Sequence, residues 1–312
     1  MHAIITADSA FRHQVPSGHP ERPERYTAVM SAIADSASSW QHYDAPHADV
    51  EQLLGVHSQS YIDGLFTQTS GLPLPDGRLV QLDGDTYAGP DSLDAALCGA
   101  GAACLAVDLV MQEQHKTVFS AMRPPGHHAE PDRAMGFCLF SNAAIAARHA
   151  QQKWGVERVA VLDFDVHHGN GTQAAFWAEK DLFYASSHQM PLYPGTGARE
   201  ETGLYHQIYN LPLPQGCSGE QFLQGWRNIL LPAIEQADCG LIIISAGFDG
   251  HRDDPLGGLE LTAADFAALT TDIVQLAQKT ANGRVVSLLE GGYDLNALYE
   301  CVKAHLDSLG HN

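Results

Sequence analysis

Two carboxylates, two histidines and two glycines follow one apolar run in the segment 159–172, which reads VAVLDFDVHHGNGT. The apolar run is typical of a buried parallel strand, and Asp163, Asp165 and His167 follow it at alternate positions. Because side chains alternate faces along a strand, these three residues would project to the same side. Such a strand end could hold a metal ion, whereas a turn whose Asp residues only cap the next helix would give a similar pattern.

Polar residues also follow further apolar runs of the sequence, namely TVFSAM, DLFYASS, LIIISAG and RVVSLLE. The polar residues that come directly after these runs are His127, His128, His188, Asp249 and Tyr293. Open α/β sheets bind ligands at the carboxyl ends of their strands. Helix caps would explain some of the Asp and Gly residues but not the paired histidines. The repeated placement therefore predicts one functional site at that edge of a sheet.

Asp165, His167 and Asp249 would offer one nitrogen and two oxygen ligands, which leaves room for water and substrate on a catalytic zinc ion. Iron(II), cobalt and manganese accept similar donors, so the identity of the metal stays open. No Cys joins the cluster, which argues against a closed structural zinc site. His127 and His128 are adjacent and would diverge as ligands to one ion, so they fit proton transfer beside it better.

Predicted strands and predicted helices alternate along the chain. Helical patterns separate the apolar runs, and this alternation predicts a largely parallel central sheet flanked by helices on both faces. The segment 68–89 is rich in Gly, Pro and Asp and reads as a long surface loop. The predicted helices span 23–36, 92–114, 142–153, 219–237, 263–280 and 296–306.

The composition limits the domain count and the classes of partner. With 312 residues, 45% of them hydrophobic, the chain can bury a large core, and no linker divides it, so we expect a single domain over 1–312. The 37 acidic residues outnumber the 17 basic ones and give a net charge of −20. This charge argues against nucleic acid or an anionic membrane as a partner. The oligomeric state is left open.

The cysteines and the N-terminal sequence indicate the cellular compartment in which the protein is expected. The six cysteines form no CxxC pair and read as buried free thiols in a reducing environment. No signal-peptide pattern opens the sequence, and no apolar stretch approaches 18 residues. The sequence therefore predicts a cytoplasmic protein.

Six ordered motifs resemble those of the zinc-dependent histone deacetylases, and they span nearly the whole chain from HPERPER to LEGGYDL. The motifs are RPPGHHAE, GFCLFSN, DFDVHHGNGT, PGTG at 194–197, GFD with the following DPLGG, and LEGGY. The resemblance is closest to the class II and bacterial amidohydrolase branch, which includes acetylpolyamine amidohydrolases. It implies the arginase/deacetylase-type fold, in which Asp165, His167 and Asp249 would be the zinc ligands.

The resemblance also implies roles for the histidines. His127 matches the family histidine that pairs with the first aspartate of the DxD motif, here Asp163. His128 matches the general base that deprotonates the attacking water. The partner of His128 would be Asn170, which cannot hold the imidazole protonated as a carboxylate would.

Further matches concern the substrate. Tyr293 resembles the phenol that hydrogen-bonds the scissile carbonyl and its oxyanion. Phe137, after Gly136, and Tyr193 resemble the aromatic walls of a narrow tunnel for the acetyl-lysine stem, although on sequence alone either aromatic could be core. Asp85 resembles a rim aspartate that binds peptide amides, and could equally be a solvated loop carboxylate.

The family resemblance further implies a structural potassium ion close to the zinc site. Its ligands would come from Asp163, Asp165, His167, Ser186 and Ser187, mostly through main-chain carbonyls. The alternative is that the two serines only satisfy backbone groups.

Leu256 helps to rank the substrates, because polyamine-specific relatives can carry a glutamate at this position. The resemblance therefore implies hydrolysis of acetyl-lysine in proteins or peptides, with an acetylpolyamine or another small acetylated amine as the alternative substrate. An inactive acyl-lysine binding module would have lost a ligand, the base or the phenol, and none is lost. An arginase-like manganese enzyme would carry additional aspartates where His168 and His251 stand.

Overall fold

The structure, a computed structural model, describes residues 2–74 and 77–310. Its strands are β1 (His2–Thr6), β2 (Trp40–Asp44), β3 (Val80–Gln81), β4 (Tyr87–Ala88), β5 (Thr117–Ser120), β6 (Val159–Asp163), β7 (Leu182–Gln189), β8 (Ile208–Leu213), β9 (Leu241–Ala246) and β10 (Val285–Leu289). The central sheet has the order β2-β1-β5-β10-β9-β6-β7-β8, and all of its strand pairs are parallel. The predicted parallel sheet is confirmed.

Helices connect the strands and cover the sheet. They are α1 (Ser9–Arg12), α2 (Glu24–Ala34), α3 (Val50–Leu54), α4 (Gln59–Thr69), α5 (Ser92–Met111), α6 (Asn142–Trp154), α7 (Asn170–Phe176), α8 (Gly219–Gly225), α9 (Leu231–Ala237), α10 (Ala263–Thr280) and α11 (Leu295–Leu309). A π-helical segment, Trp226–Leu230, joins α8 to α9, so the helix predicted over 219–237 is nearly continuous.

Alternate residues of the central strands enter two apolar layers, as a sheet covered on both faces requires. Leu162 and Ile244 pack into one layer together with residues of α2, α10 and α11. Their neighbours Val161 and Ile243 pack into the other layer with residues of α5 and α6. Because β6, β9 and β10 are buried along their whole length, the sheet holds their carboxyl ends rigidly.

The structure differs from the sequence predictions mainly at the edges of the sheet. Strands β2 and β8 close the two edges, and neither was predicted, because β2 is largely exposed and β8 contains a proline. The segment predicted as a loop over 68–89 begins inside α4 and contains the β3–β4 hairpin. Residues 75–76 of that segment lie outside the described residues.

Among the residues that the structure describes, one helix, α5, is long and apolar enough to cross a membrane. However, 72% of its apolar window is buried inside the protein, as in the core helix of a globular fold. Gly101 of α5 faces the backbone of residues 46–48 so closely that a Cβ atom would overlap it. The helix is therefore packed into the fold.

Candidate active site

Four neighbouring strands, β5, β10, β9 and β6, bring the predicted site residues together at their carboxyl ends. The residues that end or follow these strands are His127 and His128 after β5, Tyr293 after β10, Asp249 after β9, and Asp163, Asp165 and His167 at β6. All of them are buried. The predicted convergence at one edge of the sheet is therefore present in the fold.

The side chains of Asp165, His167 and Asp249 form a compact buried group, and their ligand atoms all lie within 4.8 Å of one another. His167 Nδ1 lies 3.1 Å from Asp165 Oδ1 and 3.0 Å from Asp249 Oδ2. One nitrogen and two oxygens therefore face a common point. This donor set is typical of a catalytic metal site that keeps coordination positions for water and substrate.

Backbone N–H groups hold the two carboxylates in place. Asp165 accepts hydrogen bonds from the backbone N–H of Gly291 at 2.8 Å and of His167 at 2.9 Å. Asp249 accepts from the N–H of Val166 at 2.8 Å. A Cβ atom at Gly291 would overlap both carboxylates, so only glycine allows this backbone to approach them.

The electrostatics of the group also fit a divalent cation. Burial and the neighbouring charge of Asp165 raise the pKa of Asp249 to about 7. Burial opposes protonation of His167, but Asp249 and Asp165 together raise the pKa of this imidazole to about 10. A proton on Nδ1 thus stands between the two carboxylates. A divalent ion would replace that proton and neutralise the buried negative charge.

The two adjacent histidines have opposite electrostatic environments. Burial disfavours the charged form of His127, but Asp165 and Asp163 raise its pKa well above the usual value. Its Nδ1 lies 3.0 Å from Asp163 Oδ2. Burial, together with His127 and His167, lowers the pKa of His128 well below the usual value. The pair therefore combines a protonated with a neutral imidazole, which is a common arrangement for an acid and a base.

Glu130 determines which nitrogen of His128 is free. Asn170 Nδ2 donates to Glu130 Oε1 at 2.7 Å, so the amide oxygen of Asn170 faces His128 Nδ1 at 2.8 Å. An amide oxygen only accepts hydrogen bonds, so Nδ1 of His128 carries the hydrogen. Nε2 of His128 is then left unprotonated and able to accept a proton.

We expect Glu130→Ala to lower kcat about tenfold while KM changes little, because outer contacts of this kind are worth about 10- to 100-fold. The amide of Asn170 would lose the carboxylate that orients it, whereas substrate contacts would remain. Arg133→Gln is the matched control, since it removes the exposed Arg133–Glu130 ion pair but keeps the carboxylate. Steady-state kinetics test this, and an unchanged kcat in Glu130→Ala would contradict the role of Glu130.

Tyr293 is held by groups that lie far from it in sequence. Its backbone N–H donates to Asp254 Oδ2 at 2.6 Å, and the guanidinium of Arg25 lies 5.0 Å from the centre of its ring. Arg25 also donates to the carbonyls of Glu290 and Gly292, at 2.6 Å each. Burial raises the pKa of Tyr293 well above the usual value, so the phenol stays protonated and can donate a hydrogen bond.

A cavity of about 240 Å³ leads to this group of residues. It is lined by Asp85, His128, Gly136, Phe137, His167, Leu192, Tyr193, Leu256 and Tyr293. The ring of Phe137 meets that of Tyr293 edge-on at 5.8 Å, and the ring of Tyr193 meets that of His128 at 5.1 Å. Gly136 has a φ of 54°, and a Cβ atom there would overlap the ring of His128.

Two of the residues predicted to surround potassium, Asp163 and Ser186, are neighbours in the sheet. Ser186 lies beside Asp163 in the register of β6 and β7. The hydroxyl of Ser186 is 2.9 Å from His188 Nδ1, and that of Ser187 accepts from Trp226 Nε1 at 2.9 Å. Both hydroxyls thus have protein partners, and the potassium site stays a prediction.

The imidazole of His168 is buried and contacts protein groups through both ring nitrogens. Its Nδ1 lies 2.8 Å from Thr196 Oγ1, and its Nε2 lies 3.0 Å from Gln173 Oε1. Neither nitrogen is therefore left to bind a metal ion, and the residue has the contacts of a structural histidine.

Some residues around the site were not identified from the sequence. Arg25, Glu130, Asp254 and Glu290 lie within or beside the motifs HPERPER, RPPGHHAE, DPLGG and LEGGY, which were read only for their other residues. Glu290, for example, accepts from the backbone N–H of Gly126 and of His127. The phenol of Tyr184 donates to Asp163 Oδ2 at 2.9 Å. These groups hold Tyr293, His128, His127 and Asp163 in place through hydrogen bonds.

Comparison with known proteins agrees with the geometry. The profile of the histone deacetylase domain matches residues 19–309. The chain is 37% identical to the histone deacetylase-like amidohydrolase of Pseudomonas aeruginosa, over 94% of this chain and 77% of that protein. It is 36% identical to histone deacetylase 10, chloroplastic, of Oryza sativa subsp. japonica, over 96% of this chain and 71% of that protein.

A probable deacetylase of Archaeoglobus fulgidus is 35% identical, over 94% of this chain and 81% of that protein. Among solved structures, the crystal structure of the HDA15 HD domain superposes with a TM-score of 0.90 at 32% identity and covers 98% of this chain and 87% of that chain. Sequence, fold and site geometry therefore agree. The chain belongs to the histone deacetylase family, as its motifs predicted, and is a hydrolase that acts on amides.

Proposed function

We propose that this chain is one catalytic domain that hydrolyses acetyl-lysine in proteins or peptides, releasing acetate and the free lysine amine. The observation that carries this proposal is the cavity between Phe137 and Tyr193. At its inner end lie His128 and the candidate metal ligand His167. A cavity of about 240 Å³ between aromatic rings fits a linear alkyl stem with an acetamide at its inner end. The amidohydrolase class itself follows from the family.

The metal that the family generally uses is zinc, and Asp165, His167 and Asp249 would hold it. When bound, the ion would supply Lewis-acid polarisation of the acetamide carbonyl and lower the pKa of water. Ser186 and Ser187, with the backbone of Asp163, Asp165 and His167, are proposed to hold a potassium ion that stiffens the same loop. Apart from these ions, the reaction depends on side chains described above.

The chain's own groups would move the protons. His128 takes a proton from the attacking water at Nε2, because its Nδ1 hydrogen is committed to Asn170. The phenol of Tyr293 donates to the acetamide oxygen as negative charge develops there. The amine leaves after it receives a proton from His128 or His127. Asp163 stabilises the positive charge of His127 for as long as this imidazole is protonated.

Asp85 is proposed to bind backbone amides of a peptide substrate beside the cavity that it lines. A wider cavity of about 650 Å³, lined by residues 15–20 and 22–24, shares Leu256 and Tyr293 with the first. This second cavity offers room for residues on either side of the acetyl-lysine, which favours a peptide over a free small amine.

An acetylpolyamine is the second candidate substrate, and the carboxylate of Asp85 is the observation that favours it. An ammonium group at the far end of a polyamine could bind this carboxylate. The experiment that separates the two is a comparison of kcat/KM on an acetyl-lysine peptide, acetylputrescine and acetylspermidine. We expect the peptide to be preferred, and a preference for either acetylpolyamine would overturn the substrate assignment.

We expect Leu256→Glu to shift this preference toward acetylspermidine by about tenfold or more, since a desolvated ion pair contributes about 1.4 kcal/mol or more. The new carboxylate would face the cavity that Leu256 now lines. Leu256→Gln is the matched control, because it has the same shape without the charge. The ratio of kcat/KM on the two substrates measures the effect, and an equal shift in both variants would contradict it.

The cellular location is proposed from the cysteines alone. All six are free and buried, as predicted. Free thiols are typical of a reducing compartment such as the cytoplasm.

A further inference from the structure

A second group of metal-ligand side chains lies away from the active site, where helix α5 meets the segment between β2 and α3. The ligand atoms of His47, Asp94 and Cys98 all lie within 4.8 Å of one another. His47 Nε2 is 2.7 Å from Asp94 Oδ1. The group offers one nitrogen, one oxygen and one sulfur.

The local structure holds these residues in register. Asp94 and Cys98 are one turn apart on α5, so their side chains lie on the same face of the helix. The backbone N–H of Ala48 donates to the carbonyl of Leu97 at 2.9 Å, which fixes the segment carrying His47 against the helix. The absence of a side chain at Gly101 allows this close approach.

Neighbouring side chains contact two of the three candidate ligands, Asp94 and Cys98. Arg12 binds the other oxygen of Asp94, with Nη2 3.1 Å from Oδ2, which leaves Oδ1 directed at His47. The hydroxyl of Ser9 lies beside the Cys98 sulfur and, among the described residues, has no hydrogen-bond partner of good geometry although it is buried. That hydroxyl is free to donate to a thiolate. Such outer contacts are usual around metal ligands.

The exposure of the three side chains suits an ion that is only partly enclosed. The Cys98 residue is 6% exposed, whereas the side chains of His47 and Asp94 are 54% and 37% exposed. Water could therefore complete the coordination on the open side. A thiolate with an imidazole selects zinc and similar transition metals, and disfavours calcium and magnesium, which prefer oxygen ligands.

We infer that His47, Asp94 and Cys98 form a second site for a divalent transition-metal ion of the zinc class, separate from the catalytic group. The ion would tie the segment before α3 to helix α5 and, through Asp94, to Arg12. It would stabilise the folded chain in proportion to its occupancy, because the unfolded chain does not hold the three ligands together. This inference does not depend on the identity of the acetylated substrate.

Cobalt(II) is the probe that separates the two sites. The catalytic group contains no sulfur, so a thiolate-to-cobalt charge-transfer band in the near ultraviolet must arise from a cysteine ligand outside it, and Cys98 is the cysteine in the second group. The full chain, stripped of metal, kept reduced with a phosphine and titrated with cobalt, should develop this band to saturation by two equivalents per chain, one for each site. No band at cobalt concentrations that fill the catalytic group would overturn the inference.

Single substitutions identify the residues that give rise to the charge-transfer band. Cys98→Ser and His47→Ala should each abolish it and leave deacetylation within twofold of wild type, whereas Cys104→Ser, on the same helix outside the group, should keep it. Asp165→Asn should also keep the band, although it disables the catalytic group. Should Cys98→Ser fail to fold, the exposed His47→Ala decides. A band that survives both changes, or is lost in Cys104→Ser, would refute the site.

Discussion

Replacing Tyr293 with Phe is expected to lower kcat on an acetyl-lysine peptide by about 10²- to 10³-fold, the usual effect of removing one oxyanion donor. The phenol is buried, stays protonated and is fixed through Asp254 and Arg25. Because the donor is most needed when charge develops on the acetamide oxygen, kcat should fall and KM should change little. Steady-state kinetics on the metal-loaded protein measure both constants.

Tyr193→Phe is the matched control for this change. It removes a phenol from the same cavity but keeps an aromatic wall, and the Tyr193 residue is 38% exposed. We expect kcat to fall by at most about threefold, because a hydroxyl that is hydrogen-bonded only to water contributes little that Phe would lose. Equal losses in the two variants, or an unchanged rate in Tyr293→Phe, would remove Tyr293 from its proposed role.

Asp249→Asn is expected to reduce both metal binding and activity, the latter by about 10³-fold, since Lewis-acid stabilisation is worth several kcal/mol. The substitution removes one of two negative charges that the metal would neutralise. Burial of this charge beside Asp165 is unfavourable and raises the pKa of Asp249 to about 7. The substitution removes this unfavourable charge. The metal-free variant should therefore be at least as stable as the metal-free wild type.

Thermal unfolding with and without zinc provides a readout independent of activity. Zinc should raise the Tm of the wild type, and it should raise that of Asp249→Asn much less when both are compared in a Cys98→Ser background that removes the second proposed site, because a ligand stabilises only the state that binds it. Asp253→Asn is the matched control, since this nearby side chain is 68% exposed and lies outside the ligand group. An equal zinc-induced rise in Tm in Asp249→Asn and the wild type would show that Asp249 is not a ligand.

The sequence identified the centre of the sheet because its strands are buried on both faces. The apolar runs of β6 and β9 alternate with helical patterns, which is typical of strands in a parallel sheet. Strand β2 escaped prediction because it is largely exposed and polar, whereas β8 is mostly buried but contains a proline, which argues against a strand. Helix α3 was missed because five residues held by a capping box of Asp49 and Gln52 are too few to show a helical period.

The ligand group followed from alternation along β6 and from the family motifs. The residues that orient it did not, since their contacts join distant parts of the chain. Arg25 reaches Glu290 and Gly292 across more than 260 residues. Glu130 acts through Asn170, 40 residues away. No local pattern marks such pairs, so they become visible only when the sheet brings the strand ends together.

The most direct test measures acetate and free amine released from an acetyl-lysine peptide by the zinc-loaded chain. We expect acetate and the unmodified lysine side chain to form in equal amounts, and both to form at least about 10²-fold more slowly in Tyr293→Phe and Asp249→Asn. Release at the rate of a protein-free control, from this peptide and from acetylspermidine alike, would contradict the assignment of this group as the centre that hydrolyses N-acetyl amines.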